Sequence, residues 1–226
     1  MAMLVGFMLW AARSIDEGRL AEESYFVREG LHDYLDRVPH EQENFTIWDD
    51  AVLKLRANDH DWIRDNLGEW VHDYFGHDEI YILDPANAPV YALDDGRTLP
   101  PQKYAGRAAQ IGPLVEQLRR TIAGADASAN IGTLGATQMV LEEGVPALIS
   151  VKPVVPSSQA VTQPRGMEYL HVSVRRLDAD LLAAIGARFQ LHQLRLLAAD
   201  DSNDDVVEGV TDAKGRILAF LGWQSG

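Results

Sequence analysis

The chain contains no cysteine among its 226 residues. A disulfide, a thiol nucleophile and a zinc–thiolate site are therefore all excluded. Basic residues are also scarce, since 20 lysines and arginines stand against 34 aspartates and glutamates, and the formal net charge is −14. Because such a surface repels phosphate groups, we expect no nucleic-acid partner.

The sequence also lacks a long apolar run. Residues 1–12 carry no charge and Arg13 ends this run, whereas a helix that spans a membrane needs about 20 apolar residues. No basic residue precedes the run, as a signal peptide would require. Three interpretations remain open: the outer end of a transmembrane helix, a buried turn of helix, or a dimer contact.

Catalytic motifs are missing as well. Neither a phosphate-binding GxxxxGK[ST] loop nor a GxSxG nucleophile elbow occurs, so we expect a non-enzymatic protein without catalytic residues or cofactors. His72 and His77 are five residues apart, which turns them about 140° from one another on a helix. We therefore expect no metal site. The alternative is a soluble metal-dependent hydrolase that uses the Asp/His cluster in residues 59–78.

Apolar residues recur at helical spacing through the first third of the chain. The pattern predicts a long helix from Leu4 to Val38 that Pro39 ends. A second helix is predicted over residues 41–57, and a third follows residues 58–61 and stops at Gly76.

The remaining two thirds alternate between strand and helix patterns, with strands in the majority. Helices are predicted over 111–123 and 180–189, and strands over 79–84, 89–93, 138–141, 145–155, 167–177, 194–198, 206–210 and 216–223. This order predicts an α+β fold, in which a long N-terminal helix and a helix pair pack on one side of an antiparallel sheet.

The segment from Asn44 to Tyr81 mixes aromatic residues with acids. Helical spacing explains the tryptophans as packing residues. The functional alternative is an aromatic wall of a ligand pocket, in which Asp49 and Asn66 orient the ligand.

Several short motifs in this order resemble the fourth family of CHASE domains. They are Asn44-x-x-x-Trp48-Asp49-Asp50, Asp61-Trp62, Asn66-Leu67, the hairpin EIYILDPANAPVYAL, Pro164–Gly166, Arg175-Arg176-Leu177-Asp178, and Asp212–Gly215 with the terminal Leu221-Gly222-Trp223. The resemblance covers residues 41–223.

This resemblance implies an extracytoplasmic sensor module of a bacterial inner-membrane receptor, periplasmic and lying between two membrane helices. Its relatives are Cache and PAS-like sensor folds, which predicts a PAS/Cache-like sheet. Their cytoplasmic outputs are GGDEF or EAL domains that make or degrade cyclic di-GMP, or histidine kinases. Residues 1–40 would then be a membrane-proximal signalling helix, and residues 41–226 the sensor domain.

The resemblance also suggests a binding site. We predict pocket residues Trp48, Asp49, Trp62, Asn66, Tyr81, Ser150 and Lys152 for a small molecule or a periplasmic binding protein, in a homodimer formed through the N-terminal helix. Ala51 and Val52 stand where the family commonly has an aromatic residue, so the ligand is not carried over. The other alternative is a sensor of a partner protein, without a small ligand.

Overall fold

The computed structural model describes residues 2–197 and 206–224, with side chains from residue 18 to 197 and from 207 to 224. The side chains of the apolar run 1–12 lie outside the described residues. Within the described part, no helix is both long enough and apolar enough to cross a membrane.

Helices and strands follow one another in the order expected for an α+β fold, which confirms that prediction. The helices are α1 (Ala2–Thr46), α2 (Asp49–Arg56), α3 (His60–Ile63), α4 (Trp70–Phe75), α5 (Ala108–Gly124) and α6 (Ala179–Phe189), with a π-helix at Arg64–Glu69 and 3₁₀ helices at Pro101–Gly106 and Ile131–Thr133. The strands are β1 (Glu79–Leu83), β2 (Pro89–Asp94), β3 (Arg97–Leu99), β4 (Ala136–Glu142), β5 (Val145–Val154), β6 (Tyr169–Arg176), β7 (His192–Leu196), β8 (Val206–Thr211) and β9 (Ile217–Gln224).

The chain divides into two compact units. The first comprises Met1–Leu35, Glu143–Pro146 and Leu177–Gly226, and the second comprises Asp36–Glu142 and Ala147–Arg176. Each unit has its own antiparallel pairs: the six-stranded sheet has the order β3-β2-β1-β6-β5-β4, and the three-stranded sheet has the order β7-β9-β8.

Both faces of the six-stranded sheet are covered, so the prediction of helices on one side only is wrong. On the face that we call the α5 face, Val151 and Val172 pack with α5. On the opposite face, called the α1 face, Ile80 and Ile82 pack with Phe45 at the end of α1 and with the helices that follow it. The reason is that the central strands are buried along their whole length, which requires a layer on each side.

The prediction that Pro39 ends the first helix is wrong, because α1 continues through Pro39 to Thr46. Proline removes one backbone donor from a helix. Val38, Gln42 and Phe45, which lie on either side of it, are each no more than 1% exposed. Their packing offsets the missing hydrogen bond.

The predicted helix 41–57 is divided by a break at Ile47 and Trp48. Val155 lies beside this break, where its N–H donates to Thr46 O at 2.8 Å and its carbonyl accepts from Trp48 N at 3.0 Å. The end of α1 is thus attached to the loop that follows β5.

The first unit is organised around Trp223, which is fully buried. Its indole Nε1 donates to Glu23 Oε2 at 3.0 Å. Phe26 of α1 stacks on Phe189 of α6 with ring centroids 5.7 Å apart. The terminal tryptophan that contributes to the CHASE resemblance is therefore a packing residue of this unit.

The helix over residues 60–75 is interrupted by the π-helix, with Ile63, Leu67 and Val71 buried along one side. Gly68 in the π-helix lies directly against Tyr91 of β2, so that a Cβ at this position would be 2.1 Å from the tyrosine hydroxyl oxygen. A glycine is therefore required here for close packing rather than for backbone freedom.

We expect Gly68→Ala to lower the free energy of unfolding by about 1–3 kcal/mol, since the added methyl group must displace Tyr91. Urea unfolding followed by tryptophan fluorescence measures this effect. Gly112→Ala in α5 is the matched control, because no atom lies within 4 Å of its added Cβ. Equal stability of the two variants would contradict the packing argument.

Candidate functional site

An open cleft of about 360 Å³ lies in the second unit, between the loop before β4 and the loop that joins β5 to β6. Both polar and small apolar residues line it: Ala127, Ala129, Asn130, Ile131, Gly132, Val155, Pro156, Gln163, Arg165 and Glu168. Its volume falls in the range of small-molecule sites, about 300–1,000 Å³.

The two loops are held together by Arg165. Its guanidinium donates to the carbonyl oxygen of Ala125 and to that of Asp126, the latter at 2.8 Å. Gln163 Nε2 donates to Val154 O at 3.2 Å. The shape of the cleft is therefore set by side-chain bonds to backbone carbonyls on both of its walls.

Glu168 brings a carboxylate to the cleft although it is only 3% exposed. Its two oxygens accept from Gly166 N at 3.0 and 2.9 Å, and Oε2 lies 3.7 Å from Nη1 of Arg119. Arg119 also donates to the carbonyl oxygens of Glu168 and Asp84. The Glu168 carboxyl group is thus held at the cleft by the Gly166 backbone and by Arg119.

The far side of the cleft is tied to the start of α2 by Asp49. Its carboxylate accepts from the backbone N–H of Ser157 at 2.9 Å and of Ser158 at 3.1 Å, and from the Ser158 hydroxyl. The hydrogen bond from the Ser158 side chain lowers the pKa of Asp49. Asp49 therefore positions the loop that carries Pro156, one of the residues lining the cleft.

A layer of buried polar side chains lies on the α1 face, between the sheet and the end of α1. It is formed by Gln42, Thr46, His77, Ser150, Lys152, His171 and Ser173, each at most 2% exposed. We call it the polar layer.

Gln42 is the centre of the polar layer. Its Oε1 accepts from Ser150 Oγ at 2.5 Å, and its Nε2 lies 3.2 Å from both Nδ1 and the carbonyl oxygen of His171. Thr46 Oγ1 donates to the Gln42 carbonyl at 2.7 Å. One turn of α1 is thereby bonded to the two neighbouring strands β5 and β6.

His171 is neutral, with its proton on Nε2. That nitrogen is 3.0 Å from the Leu67 carbonyl oxygen, which can only accept, while Nδ1 faces the Gln42 amide donor. Burial lowers the pKa of His171 to about 3.

Lys152 joins the polar layer to the cleft. Its Nζ donates to Glu43 Oε1 of α1 at 2.7 Å and to the carbonyl oxygen of Thr133 at 3.2 Å. Thr133 directly follows Gly132, which lines the cleft. The ion pair therefore connects α1 with a cleft wall through a single buried side chain.

The seven predicted site residues lie in four places, three of them on or beside the α1 face. Trp48 and Trp62 are in contact, with ring centroids 5.0 Å apart, and Asn66 Nδ2 donates to Trp62 O at 2.9 Å. Ser150 and Lys152 belong to the polar layer, and Asp49 bonds the loop after β5. These six lie on or beside the α1 face.

Tyr81 is separated from the other six by the sheet. It packs on the α5 face, its hydroxyl donates to Glu79 Oε2 at 2.8 Å, and burial raises its pKa. None of the seven residues lines the 360 Å³ cleft. Ligand binding by these seven residues stays a prediction, and the structure does not bring them into one cavity.

Glu79 belongs to a cluster of charged residues on the sheet. It accepts from Arg107 Nε at 2.9 Å and from Arg176 Nη2 at 2.5 Å, and both arginines also contact Glu142. Burial raises the pKa of Glu79. Each of these charges has an opposite partner, which is what a structural ion-pair network requires.

The Asp/His cluster in residues 59–78 is also engaged in structural contacts. Asp59 caps α3 through Trp62 N and pairs with Lys54 at 2.8 Å. His72 Nδ1 donates to His77 O at 2.8 Å, and His77 Nδ1 is 2.8 Å from Ser173 Oγ. Across the described residues, no three His, Asp or Glu side chains are arranged to hold a metal ion.

Sequence reasoning did not identify the cleft residues Asn130, Gln163 and Glu168. Asn130 and Gln163 fall between predicted elements, whereas Glu168 falls at the start of the predicted strand 167–177, which begins only at Tyr169. The three residues meet because the two loops close on one another in three dimensions. The single available signal was Arg165, which is part of the Pro164–Gly166 motif in the CHASE resemblance.

The comparison with known protein families agrees with that resemblance. The CHASE4 domain profile matches residues 31–197, well over half of the chain. A comparison with curated proteins gives no match. CHASE domains are extracellular sensor modules of membrane receptors. The chain belongs to the CHASE4 domain family, and its role is that of a sensor domain in signalling.

Proposed function

We propose that this chain is the periplasmic ligand-sensing domain of a bacterial inner-membrane receptor whose output is a GGDEF or EAL domain, acting on cyclic di-GMP, or a histidine kinase. Residues 1–40 are the membrane-proximal signalling helix and residues 41–226 the sensor domain. The receptor is a homodimer formed through the N-terminal helix. Support for sensing comes from the match to the CHASE4 family over residues 31–197.

The ligand site in this proposal is the 360 Å³ cleft, and one observation carries the assignment. Val155 lines the cleft and also bonds, through its N–H and carbonyl groups, to Thr46 and Trp48 at the end of α1. A ligand that shifts the loop after β5 therefore acts directly on the longest helix of the chain. Val155 occupies the junction that a sensor needs between a binding site and a signalling element.

Lys152 provides the second connection between the cleft and α1. Because its Nζ bonds both Thr133 O and Glu43, movement of the cleft wall changes the position of the charge that holds α1. In this proposal Asp49, Ser150 and Lys152 contribute to ligand response from behind the cleft. Trp48, Trp62, Asn66 and Tyr81 support the elements that carry them.

Signalling further requires that the ligand bind two arrangements of this junction with different affinity, since equal affinity shifts no equilibrium. The cleft offers one buried carboxyl group (Glu168), one exposed guanidinium group (Arg165) and two side-chain amides (Asn130 and Gln163). A small polar molecule suits this lining, whether it arrives free or on a periplasmic binding protein.

Ala129→Trp is expected to abolish ligand binding, because the indole fills the cleft. A thermal-shift screen of the purified chain against amines, amino acids and carboxylates identifies a ligand first, since a ligand specific for the folded state raises Tm. The variant is then tested with that compound, and Ala123→Trp on the exposed side of α5 is the control. A shift in Tm that survives Ala129→Trp would place the ligand elsewhere.

A further inference from the structure

The outer side of the helix over residues 60–75 carries an aromatic pair that the sensing junction does not use. Trp70 is 43% exposed and Tyr74 is 71% exposed. Their rings are nearly parallel, with an interplanar angle of 11° and centroids 5.3 Å apart. The two side chains form one continuous aromatic surface toward solvent.

This surface is supported from below. Phe75 meets both rings edge to face, with its centroid 5.3 Å from that of Trp70 and 4.9 Å from that of Tyr74. Phe45, which is 1% exposed, also meets Trp70 edge to face, with the two ring centroids 6.4 Å apart. Because the rings are held in place, a partner that binds them immobilises little additional side-chain freedom. Rigid exposed aromatic residues of this kind are typical of protein interfaces.

The charge beside the aromatic pair is strongly negative. Acids recur every four residues along the neighbouring side of the helix, at Asp61, Asp65, Glu69 and Asp73. Against these four, residues 60–75 contain one arginine and no lysine. Arg64 bonds Asp61 at 2.8 Å and Asp65 at 2.7 Å, and its Nε lies 3.9 Å from Oε1 of Glu69. One arginine charge is therefore shared among three of the four acids.

The position of the four acids relative to the aromatic pair depends on the π-helix. On an α-helix, a repeat of four residues turns by about 40° at each step. The wider i→i+5 turn of the π-helix at Arg64–Glu69 counteracts this rotation. The acidic stripe therefore stays beside the aromatic pair instead of winding away from it.

The surface is a helix face rather than a cavity, and neither Trp70 nor Tyr74 lines the cleft described above. Small molecules bind in concave sites, so the occupant of this face is a protein. We propose that Trp70 and Tyr74, with Glu69 and Asp73, form a docking surface for a basic segment of a partner protein. An arginine or lysine of that segment lies over the aromatic rings, where their negative faces attract a cation, and pairs with the adjacent carboxylates.

The test uses a fluorescein-labelled hexa-arginine peptide as probe and the full chain at about 0.15 M salt, where distant charges are screened. Fluorescence anisotropy gives the dissociation constant. Trp70→Ala/Tyr74→Ala is expected to weaken binding at least about fivefold although the net charge is unchanged. Tyr25→Ala is the matched control, since Tyr25 is 53% exposed in the first unit, and it should leave binding within a factor of about two.

A second pair of variants tests the carboxylates. Glu69→Gln/Asp73→Asn is expected to weaken binding and to reduce its dependence on salt. Glu116→Gln/Asp126→Asn removes two exposed acids elsewhere in the same unit and should have little effect. Circular dichroism confirms that each variant is folded.

Two outcomes would overturn the proposal. Equal losses with the two acid pairs, and no loss with the aromatic variant, would show that the peptide responds only to the overall charge of −14. Sedimentation that detects a dimer in the parent chain and a monomer in Trp70→Ala/Tyr74→Ala would make a second copy of the chain the occupant. Neither result depends on whether the cleft binds a small molecule.

Discussion

Replacing Glu43 with alanine is expected to lower the free energy of unfolding by about 3 kcal/mol, because it leaves the ammonium group of Lys152 buried without a counter-ion. The Lys152 side chain is 2% exposed, and that of Glu43 is 27% exposed. Partial access of water to Glu43 places the effect at the lower end of the range for buried ion pairs. Urea unfolding of the purified chain gives the value.

The matched control is Glu116→Ala. Glu116 pairs with Arg120 in α5 at 3.9 Å, but the two side chains are 71% and 73% exposed. Exposed pairs contribute at most about 1 kcal/mol, so this variant should remain close to the parent. A loss of less than about 1 kcal/mol in Glu43→Ala would show that Lys152 finds water when its partner is removed.

The double variant Glu43→Leu/Lys152→Met separates stability from signalling. Exchange of a buried ion pair for apolar side chains of similar volume is often neutral or stabilising, so this variant should unfold close to the parent. Under the proposed function it should still bind ligand in the cleft, while the output of the full-length receptor no longer responds. An unchanged response would remove Lys152 from the proposed connection.

Local chemistry explains why the hairpins could be predicted from the sequence. In the turn between β1 and β2, Asp84 Oδ1 accepts from the backbone N–H groups of Ala86 and Ala88. In the turn between β8 and β9, Asp212 Oδ1 does the same for Lys214 and Arg216. Both turns are determined by residues only a few positions apart, so they can be predicted from the local sequence.

The polar layer could not be predicted because its members are distant in sequence. Gln42 and Ser150 are separated by 108 positions, and Gln42 and His171 by 129. Alternation along β5 correctly indicates that Ser150 and Lys152 share one face, but it does not reveal what lies above them. In the structure, Gln42 and Glu43 of α1 bond Ser150 and Lys152 from this side, and these long-range contacts leave no trace in the local pattern.

The continuation of α1 through Pro39 also depends on residues that are distant in sequence. Proline is unfavourable in a helix by about 3 kcal/mol, and a local pattern therefore ends the helix there. Val38, Gln42 and Phe45 are all buried. Gln42 bonds Ser150 and His171 of the sheet, and Phe45 packs with the helices after α1, which outweighs that local preference. The packing free energy that keeps α1 helical through Pro39 is therefore absent from the local sequence pattern.

The stability of the fold is expected to decrease as the pH falls from about 6.5 toward 3, with His171 as a main cause. The pKa of His171 is lowered from its ordinary 6.5 to about 3 by burial. Within this window the unfolded chain binds a proton at His171 and the folded chain does not. Because the unfolded state then holds more protons, the free energy of unfolding decreases as the pH falls, by up to about 1.4 kcal/mol per pH unit.

His171→Gln isolates this contribution. The glutamine amide can still donate to the Leu67 carbonyl, but it does not titrate. Between pH 6 and pH 5 the free energy of unfolding of the variant should therefore fall by about 1 kcal/mol less than that of the parent. Glu79, whose pKa burial raises, acts in the opposite direction near its own pKa. That effect is common to both proteins and cancels in the difference.

Ser173→Ala is the control for this pH experiment. It removes a hydroxyl 3.4 Å from Nδ1 of His171 and 2.8 Å from Nδ1 of His77 but keeps the imidazole of His171 and its burial. We expect it to be less stable than the parent at pH 7 and to retain the parent's pH slope. If the free energy of unfolding depends on pH in the same way for the parent and for His171→Gln, a neutral buried His171 is contradicted. A histidine with the same pKa in the folded and unfolded states adds nothing to this pH dependence.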